Sequence, residues 1–192
     1  MSGLMLRVLK PEDAEMLYGH YQALDPESKG CRFGIQISDY ALRHFINNMD
    51  LRRDIHFAVV QDQEILALTQ VAKYSSDDGP AHRLELGISV TQNARRRGYA
   101  SLLWDVATAH ATACNMQEIY VIHSPRNNAM VQFCRGKGLR SEDLFGERVG
   151  IWTNLHWTNM LQEQSAPTVP QSWPGILPSP SPIISDLAFQ PA

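Results

Sequence analysis

The chain has 192 residues, 44% of them hydrophobic and 19% charged, with a formal net charge of −3 and a pI of about 6.1. That is enough apolar material for one well-filled core, and the mildly acidic balance offers nucleic acid no general basic field. The three cysteines (Cys31, Cys114, Cys134) and seven histidines show no ligand or disulfide spacing, and no run reaches membrane-spanning length or forms a signal-peptide core. No metal and no membrane association are predicted, and a reduced, cytoplasmic setting fits best.

In chain order, residues 4–9 read as a strand. Pro11 with Glu12, Asp13 and Glu15 then opens a helix that ends near Leu24 and carries Leu17, Tyr21 and Leu24 on one face. Residues 24–34 are rich in turn formers and are predicted to be a loop, before a helix capped by Ser38 that presents Leu42, Phe45 and Ile46. Apolar runs at 55–60, 65–71 and 84–90 predict three strands of an antiparallel meander. The first hairpin lacks an Asn-Gly or Asp-Gly pair, which leaves its turn type open.

The third of these strands alternates Leu84, Leu86, Ile88 and Val90, then runs through a polar turn into Arg95-Arg96-Arg97-Gly98-Tyr99-Ala100. Residues 98–113 are alanine-rich and helical, with Leu103, Val106, Ala107 and His110 at helical spacing. A strand, a basic loop and a helix start together suit a pyrophosphate. The first helical turn has unpaired N–H groups and the positive end of the dipole, the arginines add charge-assisted donors, and a glycine lets an anion approach the backbone. Residues 118–123 form a short strand reached by a helix-length connection, hence parallel to the strand at 84–90. A helix follows from Ser124-Pro125-Arg126-Asn127-Asn128, with Met130, Phe133 and Cys134 sharing a face and Gly136 or Gly138 closing it. Residues 139–145 and 148–160 predict a last hairpin turning at Gly146. Seven of the eleven prolines fall after Ser165, so the chain divides into a domain over 1–162 and a proline-rich tail over 163–192, read as flexible. Ile183, Ile184, Leu187 and Phe189 in that tail leave docking on a groove or partner as the alternative.

The spacing R-x-x-G-x-A at 95–100 resembles the acyl-CoA pyrophosphate loop of the GNAT N-acetyltransferase superfamily. The segment from Asn127 through Met130, Phe133 and Cys134 to Gly138-Leu139 is similar to that family's N-x-x-A-x-x-x-Y-x-x-x-G-F. Leu24-Asp25-Pro26-Glu27-Ser28 with Arg32-Phe33 resembles the opening of GNAT domains in bacterial protein-lysine acetyltransferases. The resemblance implies an α/β fold of the α+β type, with a mixed, mostly antiparallel twisted sheet of about seven strands flanked by about four helices. That sheet would be splayed between strands 4 and 5, with acetyl-CoA in the gap. It further implies that Ile88 and Val90 lie along the pantetheine, that Arg95, Arg96, Arg97, Gly98, Tyr99, Ala100 and Ser101 hold the pyrophosphate, and that Asn127 bonds the pantetheine arm.

For the chemistry, Glu85 is the carboxylate on the strand where relatives carry a general base, and the other reading of it is a solvated strand-face acid. Cys134 stands where relatives place a tyrosine acid, and is either the acid or a packing residue. The function implied is acetyl-CoA-dependent N-acetylation of a primary amine, on a small molecule or a protein lysine, by direct attack. The alternative is a non-catalytic acyl-CoA-binding regulatory module. A homodimer is compatible with the sequence. No P-loop, Rossmann fingerprint or nucleophile elbow is present, since Gly136-Lys137-Gly138 lacks the P-loop spacing and Gly98 stands alone.

Overall fold

The computed structural model describes residues 3–73 and 82–155. Seven strands, β1 (Met5–Val8), β2 (Ile55–Gln61), β3 (Glu64–Lys73), β4 (Arg83–Val90), β5 (Glu118–His123), β6 (Arg140–Leu144) and β7 (Glu147–Thr153), form one sheet in the order β1-β2-β3-β4-β5-β7-β6. Every neighbouring pair is antiparallel except β4 and β5, as the helix-length crossover between them requires. Among the described residues five α-helices flank the sheet: α1 (Ala14–Ala23), α2 (Pro26–Phe33), α3 (Asp39–Asn47), α4 (Tyr99–Ala113) and α5 (Asn128–Gly136). The proline-rich tail, the polar turn at 75–80 and the expected extension of the last strand to 160 lie outside the described residues.

The sheet is filled from both sides. On one face Leu17 and Tyr21 of α1 and Leu42 and Ile46 of α3 pack on Ala58, Val60 and Leu68. On the other, Leu103, Trp104, Ala107 and Ala111 of α4 pack on Val59, Val71, Leu84, Leu86 and Ile119. The small side chains of Ala107 and Ala111, both fully buried, let α4 lie close to the strands. Strand β3 is therefore buried on both faces from Ile65 to Ala72, whereas in β4 only Leu84 and Leu86 are buried. The face of β4 that carries Glu85, Gly87 and Ser89 is thus left partly open, and this difference positions the site.

The structure adds a helix where a loop is expected: α2 starts at Asp25, whose carboxylate accepts from Ser28 N–H at 3.0 Å, followed by Pro26 in the first turn. Gly34 ends it in the left-handed region at φ 73°. The open question of the first hairpin is also settled. Asp62 and Gln63 sit at φ 51° and 66°, a two-residue turn of the mirror-image kind that twists with the strands. Glutamine is a poor resident of that region, so Gln63→Gly is expected to stabilise the fold by about 0.5–1 kcal/mol, read from urea unfolding.

Candidate active site

Strands β4 and β5 pair only at Arg83–Glu118, Leu84–Ile119 and Glu85–Tyr120, and then part. Beyond that point the β5-facing backbone of residues 86–90 has no strand partner, and such groups need hydrogen bonds from elsewhere. Ile88 and Val90 lie in this stretch, with side chains packed partly against the α4-side core, so what they offer the gap is backbone.

At the far end of β4, Thr91 pins the chain: its N–H and hydroxyl both bond the Leu66 carbonyl, at 2.9 and 3.1 Å. A short turn at Gln92–Ala94 follows, anchored by buried Ala94. Arg96 (φ 63°) and Gly98 (φ 83°) then bend the chain into α4. Gly98 is the N-cap and has no side chain to cap with, so the N–H groups of Tyr99, Ala100 and Ser101 open the helix without a side-chain acceptor. Arg96 and Arg97 are exposed. Arg95 is not aimed at this opening. Its guanidinium bonds the Asp25 carboxylate and, at 2.7 Å, the Ser28 hydroxyl, both in the first turn of α2.

Asn127 caps α5, with Oδ1 accepting from Met130 N–H at 3.1 Å. Because the oxygen is so engaged, the amide NH2 is the part left to donate. The first turn of α5 and that of α4 both follow strands that border the gap.

Glu85 and Gly87 point to the face opposite α4. Glu85 forms no hydrogen bond or ion pair among the described residues, and burial raises its carboxyl above the usual carboxylate range while the nearby Arg32 guanidinium works the other way. Arg32, at the end of α2, lies flat over Gly87: a Cβ at that glycine would stand 3.4 Å from the guanidinium carbon. Its Nη2 donates to Gln70 Oε1 at 2.5 Å, Gln70 Nε2 donates to Asp54 Oδ2 at 3.0 Å, and Asp54 pairs with Arg53 at 3.1 Å. Gln70 and Asp54 are both buried. Tyr120, directly across the pairing from Glu85, donates its hydroxyl to Glu118 at 2.9 Å. Sequence reasoning did not single out Gly87, Gln70 or Asp54. The one sign was a glycine in the middle of an alternating strand, which marks close approach of another group.

Two steps along the same face, Ser89 donates to His20 Nε2 at 2.7 Å. The tautomer follows from the other ring nitrogen, since Nδ1 faces the Ile65 carbonyl at 2.8 Å and a carbonyl only accepts. Burial lowers the His20 pKa to about 4, so the ring is a neutral tie between α1 and β4. A cleft of about 720 Å³ opens beside it, between α1, the β2–β3 turn and Thr91, Gln92 and Asn93, but neither Glu85 nor Asn127 lines it.

Cys134 lies in the α4-side core at 5% exposure, and burial pushes its thiol up to about 11. Its Sγ presses on β7, where a Cβ at Gly150 would stand 2.9 Å away. Gly150→Ala is therefore expected to cost about 1–3 kcal/mol by overpacking. Adding Cys134→Ala should recover part of that loss, which a thermal-unfolding double-mutant cycle reads directly.

The model of the acetyltransferase (GNAT) domain family matches residues 3–140. No curated protein matches the chain. Among solved structures, the GNAT domain of a Streptomyces lividans protein titled PAT is similar at 20% identity and a TM-score of 0.67, over 80% of this chain and 97% of that one. The Vibrio fischeri ribosomal-protein-S5-alanine acetyltransferase is similar at 14% identity and 0.63, over 82% and 98%. A putative acetyltransferase from Salmonella typhimurium, solved with acetyl-CoA, is similar at 12% identity and 0.62, over 86% and 98%. At these identities the structural likeness speaks for the fold.

Proposed function

This chain belongs to the GNAT acetyltransferase family, and on that footing we propose that it transfers the acetyl group of acetyl-CoA to a primary amine by direct attack. The observation that carries the reading is the parting of β4 from β5 next to an uncapped helix start. Unpaired strand backbone suits the pantetheine amides, and the N–H groups at 99–101, with Arg96 and Arg97 nearby, suit the diphosphate. Asn127, with its oxygen occupied by the cap, donates its amide to the pantetheine. On this reading Arg95, bonded to Asp25 and Ser28, reaches the phosphates only by letting go of α2.

In the reaction the amine nitrogen bonds to the thioester carbonyl carbon, the carbon–sulfur bond breaks, and the thiolate of CoA departs. Glu85 takes the proton that the ammonium must lose. Its raised pKa supports this role, because a carboxylate closer in basicity to the amine is the better base. Cys134 is a poor acid for the leaving thiolate. With its pKa up at about 11 it holds its proton more tightly than an ordinary thiol near 8.5, so the second proton, shed by the nitrogen as the amide forms, reaches the thiolate through solvent. The acceptor is a small-molecule or protein amine, and the likeness to structures titled as a PAT domain and a ribosomal-protein-alanine acetyltransferase keeps protein acceptors in view. We take residues 1–162 as the catalytic domain and 163–192 as an appended tail. No described helix is long and apolar enough to cross a membrane.

The core position of Cys134, where relatives place a tyrosine, favours the second reading, a regulatory module that binds acetyl-CoA without turning it over. The test combines acetyl-CoA calorimetry with free-CoA release over a panel of primary amines and lysine peptides. Binding with release above hydrolysis for at least one amine is the expected result. Tight binding with no release from any of them would establish the module instead.

A further inference from the structure

Half-buried arginines in this chain are neutralised almost without exception. Arg7, Arg43, Arg53, Arg83 and Arg148 each stand in an ion pair with a carboxylate. Arg32 is as buried as these, yet among the described residues its side-chain bond is to the neutral Gln70. The orientation of that glutamine is not free. Its NH2 must face the acceptor Asp54, which turns its oxygen to Arg32 and holds the guanidinium in place without cancelling its charge. The missing side chain of Gly87 completes the seat. Two residues back along β4, roughly 7 Å by strand rise, Glu85 stands on the same face, half-buried and, among the described residues, also without an ion pair. A guanidinium and a carboxylate that, among the described residues, lack an ion-pair partner therefore share one partly open strand face, near enough for each charge to act on the other.

We propose that the acceptor is a small zwitterion, an amino acid or a like compound with its amine and carboxylate a few bonds apart, whose carboxylate is held by the Arg32 guanidinium while its amine faces Glu85. The inference rests on the N-acetyltransferase reading above. A planar fork with donors to spare takes a carboxylate through two parallel bonds, which a lysine could not match. The guest gives both half-buried charges a bonded partner at once, whereas an amine without the carboxylate leaves Arg32 with only the neutral Gln70.

The test uses the full chain and matched pairs of acceptors, free amino acids against their carboxamides, with initial rates of CoA release giving kcat and KM. Hydrogen bonds to a charged group are worth enough that the wild type should prefer the carboxylate by roughly 10–100-fold in kcat/KM. Arg32→Gln should erase the difference between the two members of a pair, and Arg32→Lys should restore part of it. Calorimetry with acetyl-CoA on both variants identifies any that has lost its fold. Equal use of acid and amide by the wild type overturns the proposal, as does an Arg32→Gln loss that falls equally on both, which would mark Arg32 as a structural support. Turnover confined to lysine peptides overturns the substrate class and leaves the N-acetyltransferase reading standing. Absence of CoA release from every amine removes that reading itself.

Discussion

Gly98→Asp is expected to weaken acetyl-CoA binding by roughly a hundredfold or more in titration calorimetry, with a drop in melting temperature of only a few degrees from the strained backbone. Space is not the reason, since no atom lies within 4 Å of the position a Cβ would take. Two other effects remain: the left-handed backbone at φ 83°, which a side chain tolerates poorly, and a negative charge set at the start of α4 beside the N–H groups of Tyr99, Ala100 and Ser101. Gly98→Asn shares the backbone cost and lacks the charge, so the gap in affinity between the two variants measures the electrostatic part. Higher salt should narrow that gap. If both variants bind acetyl-CoA as the wild type does, the diphosphate lies elsewhere and the proposed function loses its main support.

Glu85→Gln is expected to lower turnover by roughly a hundredfold while keeping the affinity for acetyl-CoA, and in the wild type activity and the carboxyl's contribution to stability should depend on pH in opposite senses. In the wild type, kcat/KM should rise with pH through the raised carboxyl pKa as the base ionises. In the variant that limb disappears, and the rate should climb only as solvent frees the amine, so high pH partly rescues it. Stability should follow the reverse order. A carboxyl whose folded pKa lies above its unfolded value binds its proton more tightly when folded, so the contribution is fully present below the unfolded pKa and is lost as pH rises through the folded one. The glutamine variant has no such loss. It should melt higher than the wild type at neutral pH, with the two converging in acid. A variant equally active at pH 7 would remove the base assignment.

Most of the fold was legible because the signals were local. Strand β5 was read to its ends from Ile119, Val121 and its flanking polar residues, and the parallel pairing followed from the length of the crossover. Gly146 was legible as the last turn, where with Phe145 it takes positive φ. Helix α2 was not. It contains Gly30, ends in Gly34 and buries no residue fully, so neither propensity nor periodicity announces it. Its Asp25 cap and Pro26 were helix-start chemistry hidden among turn formers. The turn type of the hairpin at Asp62 and Gln63 escaped assignment because the sheet imposes on glutamine a backbone that its own preference resists. At the site, the side of β4 on which Glu85 lies was readable from alternation. What stands around it was not, since Arg32, Gln70 and Asp54 come from three separate elements and meet only through the sheet. Likewise, the arginine run read as a phosphate loop gave no hint that Arg95 turns to α2, because its partner lies in a segment expected to be irregular.

That same short helix is fastened at both ends. Arg95, just before the start of α4, grips the first turn of α2, and its last turn sends Arg32 down onto Gly87 beside Glu85. Eight residues make a rod about 12 Å long. If a bound phosphate draws Arg95 toward itself, it must loosen Asp25 and Ser28, and the rod then pivots at its other end among the groups that meet the amine. Occupancy of either half of the cleft would thus be felt in the other through a lever rather than through direct touch. Thermodynamic reciprocity then requires that an acceptor alter the grip on acetyl-CoA by the same factor by which acetyl-CoA alters the grip on the acceptor. Arg95→Ala, by cutting the lever at its handle, should bring that factor toward one.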